Sequence, residues 1–211
     1  MNGKNTNSST ALASTACDCY KANGRGIIFN RVWAIANHET FRIKPIREFV
    51  KKYLRNSDVS IDPFARDCEY ATYTNDLNKE TMAQYHMNAD EFLQMLVNRG
   101  VEADLILFDP PYSRNQVKEM YGGMGLKYTV EDSQYFSTNW RKERDLINKL
   151  LKPDGCVLSF GWNSTGMSRA RGYKIIEILM VCHGSAKYDT ICIAEQRVGG
   201  KELNLFGEFA L

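Results

Sequence analysis

The chain has 211 residues, enough for one well-cored domain plus extensions, and its 44% hydrophobic and 25% charged content is ordinary globular chemistry. A net charge of +2 excludes a uniformly basic nucleic-acid binder, so any such site must come from local clustering. No apolar run is long enough to cross a bilayer, the first residues lack the apolar core of a signal peptide, and the 6 cysteines show no disulfide-rich spacing, which together fit a reducing cytoplasm.

Residues 1–26 are rich in Asn, Ser, Thr, Ala and Gly without periodicity and read as a flexible arm, leaving 27–211 as a single domain. Cys17-Asp18-Cys19 lies in the arm without a second ligand pair, and no metal site is expected there. Ile43 to Asn56 is an amphipathic helix: Pro45 suits its first turn, and Ile46, Phe49, Val50, Tyr53 and Leu54 share one face. Val59 to Asp62 reads as a short strand, and Tyr70 to Thr74 as another, ending at Asn75-Asp76. Asp90 to Asn98 is helical, with Gly100 as its stop. Asp104 to Phe108 is a buried strand. Residues 113–139 read as a long, irregular loop. Trp140 to Leu151 is a helix closed by Pro153 and Gly155. Cys156 to Phe160, Tyr173 to Cys182 and Tyr188 to Arg197 are strands, with Cys156, Cys182 and Cys192 as small buried residues.

Strands alternating with helices predict a doubly wound, mostly parallel α/β sheet. The last two strands are joined by too few residues for a crossover helix, so they should be antiparallel. Ligands in such sheets sit at the carboxyl ends of strands. Asp62, Asp76 and Asp109 all fall at such ends.

The motif with the most chemistry is Asp109-Pro110-Pro111-Tyr112, directly after Leu105-Ile106-Leu107-Phe108. Asp109 can accept a hydrogen bond from an exocyclic amine, and the Pro110 carbonyl can accept a second. The two prolines fix φ and remove backbone donors, so the carbonyls stay aimed and free. Tyr112 offers a flat face to an extruded base. Here the chain resembles the S-adenosylmethionine-dependent amino methyltransferases, and the Asp form of the motif resembles the adenine-N6 enzymes of DNA. The resemblance spans roughly Phe41 to Arg197 and implies a Rossmann-like methyltransferase fold, with a seven-stranded sheet ending in an antiparallel pair.

The resemblance extends to a cofactor half. Phe41-Arg42-Ile43-Lys44-Pro45-Ile46, a helix, then Ile61-Asp62-Pro63-Phe64-Ala65 is similar to a Lys-Pro helix start followed by an Asp-Pro-Phe-Xaa-Gly loop. It implies that the helix start and Lys44-Pro45 face the methionine carboxylate. Asp62, beside Pro63 and Phe64, would then take the methionine ammonium. Asp76, beside Leu77, corresponds to the ribose-binding carboxylate, although it is equally a cap. Asn88, beside Ala89, corresponds to the adenine-binding position, with Asp90 as neighbour and a plain helix cap as the alternative. Ser113, Arg114 and Trp162, with Tyr112, would line the substrate side. The family's glycines, which admit the cofactor closely, are replaced by Arg66-Asp67-Cys68. The loop therefore takes another path, or cofactor affinity drops, or activity is lost.

No separate target-recognition domain is expected. Arg114, Lys118, Lys127, Arg141, Lys142 and Arg144, interleaved with Tyr121, Tyr128, Tyr135, Phe136 and Trp140, suit a strand-binding segment. The expected partner is DNA, with a homodimer or second protein as a source of extra specificity. Small enzymes of this kind resemble those of phages and mobile elements, which implies the cytoplasm of a bacterium or an infected host. Two alternatives stay open: the same fold binding cofactor or nucleic acid without catalysis, or methyl transfer to RNA, a free nucleotide or a protein amide.

Overall fold

The computed structural model describes residues 26–125, 127, 129, 140–184 and 188–198. Nearly all of the expected arm, including Cys17-Asp18-Cys19, and most of 126–139 lie outside the described residues.

Seven strands form one sheet: β1 (Ile28–Trp33), β2 (Ser60–Asp62), β3 (Tyr73–Thr74), β4 (Ala103–Phe108), β5 (Leu151–Gly161), β6 (Tyr173–Cys182) and β7 (Thr190–Arg197). Their order is β1-β6-β7-β5-β4-β2-β3. Only β7 runs antiparallel to its neighbours, β5 and β6; the other pairs are parallel. This is the doubly wound α/β sheet that the alternation of elements predicts.

The seven strands are reached in a different way than expected. Six were readable; the seventh is β1, at the edge beyond β6. Its sequence, Ile28-Phe29-Asn30-Arg31-Val32-Trp33, does not alternate, because among the described residues only Val32 packs on the core and the other five side chains are exposed. The expected strand at Tyr70 to Thr74 shrinks to β3. Tyr70 stands outside the sheet with the Lys51 ammonium 5.4 Å from its ring centre.

Helices cover both faces. Helix α1 (Lys44–Leu54) buries Ile46, Phe49, Val50 and Tyr53 against Leu105, Leu107, Leu158, Phe160 and Val181. On the other face, α2 (Ala89–Asn98) and α4 (Arg141–Leu150) bury Phe92, Leu93, Leu96, Leu146, Ile147 and Leu150 against Ile61, Ile106, Phe108 and Val157. Each such side chain contributes about 1.5–3 kcal/mol on leaving water. The alternation of β4, with Leu105 and Leu107 on one face and Ile106 and Phe108 on the other, feeds both cores. Helix α2 ends as predicted at Gly100, whose φ is +67°. The Gly100 and Val101 N–H groups close back onto Val97 O and Leu96 O at 3.0 and 3.1 Å, a Schellman arrangement.

The irregular loop expected over 113–139 is corrected in its first part. Arg114–Gly123 is a helix, α3. Ser113 caps it: its Oγ accepts from the Gln116 N–H at 3.2 Å, and the Gln116 side chain returns to the Ser113 N–H at 3.2 Å. The Ser-x-x-Gln pattern was in the sequence. The helix buries only Val117 and so shows no apolar stripe.

Candidate active site

The carboxyl ends of β2, β3, β4 and β5 converge on an open cleft of ≈ 880 Å³. A second, smaller cavity of ≈ 240 Å³ adjoins it. Thr40, Phe64, Arg66 and Asp109 line both.

Asp109 follows β4 directly, and Pro110, Pro111 and Tyr112 line the main cleft with it. The Tyr112 hydroxyl donates to Asp109 Oδ1. The Thr40 hydroxyl lies 3.5 Å from the same phenol oxygen. Tyr112 is therefore more than a stacking face: it holds the carboxylate. Gln116 Oε1 accepts from the Tyr112 N–H at 2.6 Å, tying the motif to α3. Among the described residues no backbone donor meets the Pro110 carbonyl. Burial pushes Asp109 above the ordinary carboxylate range, opposed by the hydroxyls of Tyr112 and Thr40 and by the charge of Arg66.

Asp62 ends β2 and is fully buried. Its Oδ1 accepts from the Phe64 N–H at 3.0 Å, while its Oδ2 has no partner among the described residues. Burial pushes it well above the ordinary range, and the charges of Asp109 and Asp76 add to that. Asp76 lines the cleft, with Oδ2 accepting from the Arg66 N–H at 3.1 Å and Oδ1 from the Asn78 N–H at 2.8 Å. It caps a turn rather than a helix. Burial raises it too. Asp76 and Asp109 line the main cleft; Asp62 is buried and lines neither cavity, although it lies close enough to feel the charge of both.

Arg66 occupies the glycine position of the Asp-Pro-Phe-Xaa-Gly pattern. Its φ is +52°, so the backbone keeps the left-handed geometry that glycine favours. The expectation that the loop takes another path is not what the backbone shows at this residue. The side chain crosses the cleft instead, and Nη1 donates to the His38 carbonyl at 2.8 Å. Asn75, fully buried and not singled out in the sequence, staples the loop. Its Nδ2 donates to Pro63 O at 3.1 Å and Met87 O at 3.0 Å, and its Oδ1 accepts from the Met87 N–H at 3.2 Å.

Several expected positions lie elsewhere. Lys44 is exposed and neither it nor Pro45 lines a cavity; Ile43, the residue before them, does. Leu77 and Ala89 line neither cavity, and Pro63 is buried behind the loop. Asn88 forms a capping box with Glu91 at the start of α2, the plain alternative foreseen for it. Ser113 caps α3, and Arg114 is an exposed residue of its first turn. Trp162 is in the cleft, its ring 5.6 Å from that of Tyr112. Thr40, Arg66, Gln116, His183 and Tyr188 reach the cleft without having been foreseen. Gln116 comes from α3, where the Ser-x-x-Gln capping pattern marks it; the others come from turns and loops with no local pattern, and only the long-range folding of the chain assembles them.

An open, mostly parallel sheet with a single antiparallel strand between β5 and β6 is the Rossmann-like methyltransferase topology expected from the sequence. No protein-family model matches the chain, and no curated protein does. Among solved structures it is similar to NSun6 from Pyrococcus horikoshii, at 15% identity and a TM-score of 0.46, covering 70% of this chain and 50% of that one. It is similar to TrmN from Thermus thermophilus at 15% identity and a TM-score of 0.44, covering 73% and 49%. It is also similar to a methyltransferase assigned as yhhF from Escherichia coli at 11% identity and a TM-score of 0.43, covering 74% and 83%. The chain spans about half the length of the first two.

Proposed function

We propose that this protein is an S-adenosylmethionine-dependent methyltransferase acting on the N6 amine of adenine in DNA. The observation that carries the reading is Asp109: a half-buried carboxylate with one oxygen held by Tyr112, beside a proline carbonyl that meets no backbone donor among the described residues, in a cleft also lined by Trp162.

The residues present fit the cofactor. The orphaned Asp62 Oδ2 is a buried acceptor that an ammonium would satisfy, directly or through water. Of the permanent cations lining the two cavities, Arg42 is paired with Glu39, which leaves Arg66 as the partner for a carboxylate. It takes the place that the resemblance gives to Lys44. When bound, S-adenosylmethionine supplies a methyl group activated by its sulfonium.

The second oxygen of Asp109 and the Pro110 carbonyl accept the two N–H groups of the amine. That would turn the nitrogen lone pair toward the methyl group that bound S-adenosylmethionine would supply, the arrangement that direct transfer from sulfur to nitrogen requires. The methylated nitrogen then sheds one proton, and Asp109, raised by burial, is the base within reach. Positioning and charge placement supply the acceleration.

A second reading, cofactor binding without transfer, is favoured by one observation, the Arg66 side chain in the place of a glycine. One experiment separates the two. The chain is incubated with labelled S-adenosylmethionine and adenine-containing DNA or RNA, and the digested product is searched for N6-methyladenine. Label in DNA that disappears with Asp109→Ala supports the proposal. Binding of S-adenosylhomocysteine with no transfer to any substrate supports the second reading, and label in RNA alone moves the substrate.

A further inference from the structure

The rim of the cleft carries a row of aromatic rings that leads away from Asp109. Tyr112 meets Trp162 edge-on, at 5.6 Å between ring centres. Trp162 meets Tyr188 at 4.6 Å with 38° between the planes. Beyond them a shallow depression of ≈ 480 Å³ is lined by Trp162, Tyr188 and Trp33, with Met180 and Ile191 as its floor. Trp33 is the last residue of β1. The three outer rings are open to solvent: Trp162 at 38%, Trp33 at 68% and Tyr188 at 72%. None is needed for the core, and a run of exposed aromatics flush with a reaction cleft has no packing explanation.

The geometry points to this row as a stacking platform for unpaired bases of single-stranded DNA that flank the target adenine. The inference rests on the proposed adenine-methylating function, which supplies the base in the cleft. Flat rings in sequence match the repeated flat faces of a single strand, and those faces are free only when the bases are unstacked. A duplex offers no such faces without base extrusion. The charge around the row is balanced. The Arg31 guanidinium lies 5.4 Å from the Trp33 ring centre, and Asp189, which accepts from the His183 N–H at 3.2 Å, shares the depression. Affinity at this surface therefore comes from stacking and not from neutralising phosphates, in keeping with the small net charge of the chain.

The test is fluorescence anisotropy with a labelled, adenine-containing short DNA strand, its duplex, and an RNA strand of the same sequence. The variants are Trp33→Ala, Trp33→Phe and Tyr188→Ala, with S-adenosylhomocysteine affinity and melting temperature as controls. The DNA strand is expected to bind about tenfold more tightly than the duplex. Trp33→Ala and Tyr188→Ala should each weaken it about tenfold, the loss of roughly one stacked base, while Trp33→Phe keeps most of the affinity. The loss for Trp33→Ala should be the same at low and high salt, because no phosphate contact is removed. Strand binding unchanged by Trp33→Ala and Tyr188→Ala, or a preference for duplex, overturns the platform; tighter binding of RNA overturns the choice of DNA. If the strand binds as described but no N6-methyladenine forms, the platform stands and the proposed transfer falls. If adenine is methylated but the variants bind and react like the parent, the transfer stands and the platform falls.

Discussion

Replacing Tyr112 with phenylalanine removes one oxygen and leaves the ring in the cleft. The lost hydroxyl is the donor to Asp109 Oδ1. Asp109 is already raised by burial, and this bond is the first of the three influences that pull it back toward the ordinary range. A hydrogen bond to a charged group contributes about 1.5–3 kcal/mol, and one pKa unit corresponds to about 1.36 kcal/mol. The Thr40 hydroxyl and the Arg66 charge remain, so the low end of that range applies and Asp109 should rise further above the ordinary range. Transfer needs the ionised carboxylate. The acid limb of kcat/KM against pH should therefore move to higher pH in Tyr112→Phe, with nearly full activity recovered above it. Tyr112→Ala, which also loses the stacking face, should stay slow at every pH, by about 1–3 kcal/mol. The assay is methyl transfer to an adenine-containing strand across pH. The carboxyl carbon resonance of Asp109 in labelled protein gives the titration independently of turnover. An acid limb that stays in place or moves down in Tyr112→Phe would refute the coupling.

At Arg66 the left-handed φ predicts that Arg66→Gly changes stability by less than about 1 kcal/mol, whereas Arg66→Val, β-branched and disfavoured there, costs about 1–2 kcal/mol more in urea unfolding. Gly166 has φ +47°, and a Cβ on it would overlap the Glu195 carboxylate, which is the acceptor for the Met167 N–H at 2.6 Å and the Ser168 N–H at 3.2 Å. Gly166→Ala should therefore destabilise by about 2–4 kcal/mol, and a melting temperature equal to the parent's would contradict this. Burial pushes Glu143 up to about 7, and neither carboxylate oxygen has a partner among the described residues. A raised carboxyl stabilises the fold below its unfolded pKa and loses that contribution as pH rises through 7. Glu143→Gln should then gain about 2 kcal/mol on the parent between pH 5 and pH 8, read from urea midpoints at the two values.

How legible each part was in the sequence follows from where its signal lies. Helices α1, α2 and α4 bury one full stripe each, and helical spacing of apolar residues is a local signal. Strand β4 was readable as an unbroken apolar run because both of its faces are covered. Helix α3 and strand β1 bury little, so neither left a period to read. Asp62, Asp76 and Asp109 were found because strand ends are local and strand ends hold ligands. Lys44 was expected in the site by resemblance, but the entry of α1 turns Ile43 inward and Lys44 out. Thr40, Arg66 and Tyr188 meet at the cleft from positions far apart in the chain, and no short-range pattern records such a meeting.

Strand β1 also sets a timetable. It is the first strand among the described residues, yet its one neighbour in the sheet is β6, and the Arg31 Nε to Cys182 Sγ contact at 3.2 Å joins residues 151 apart. On a ribosome adding roughly 5–20 residues per second, β1 emerges about 8–30 s before the strand it pairs with. Closing so long a loop is slow on entropic grounds, and contacts of this separation form late. The rest of the sheet can assemble from β2 onward while Ile28, Phe29 and Trp33 wait unpaired. The outermost strand is then added last, so the ring at the end of the aromatic row takes its place only once the whole sheet beneath it exists.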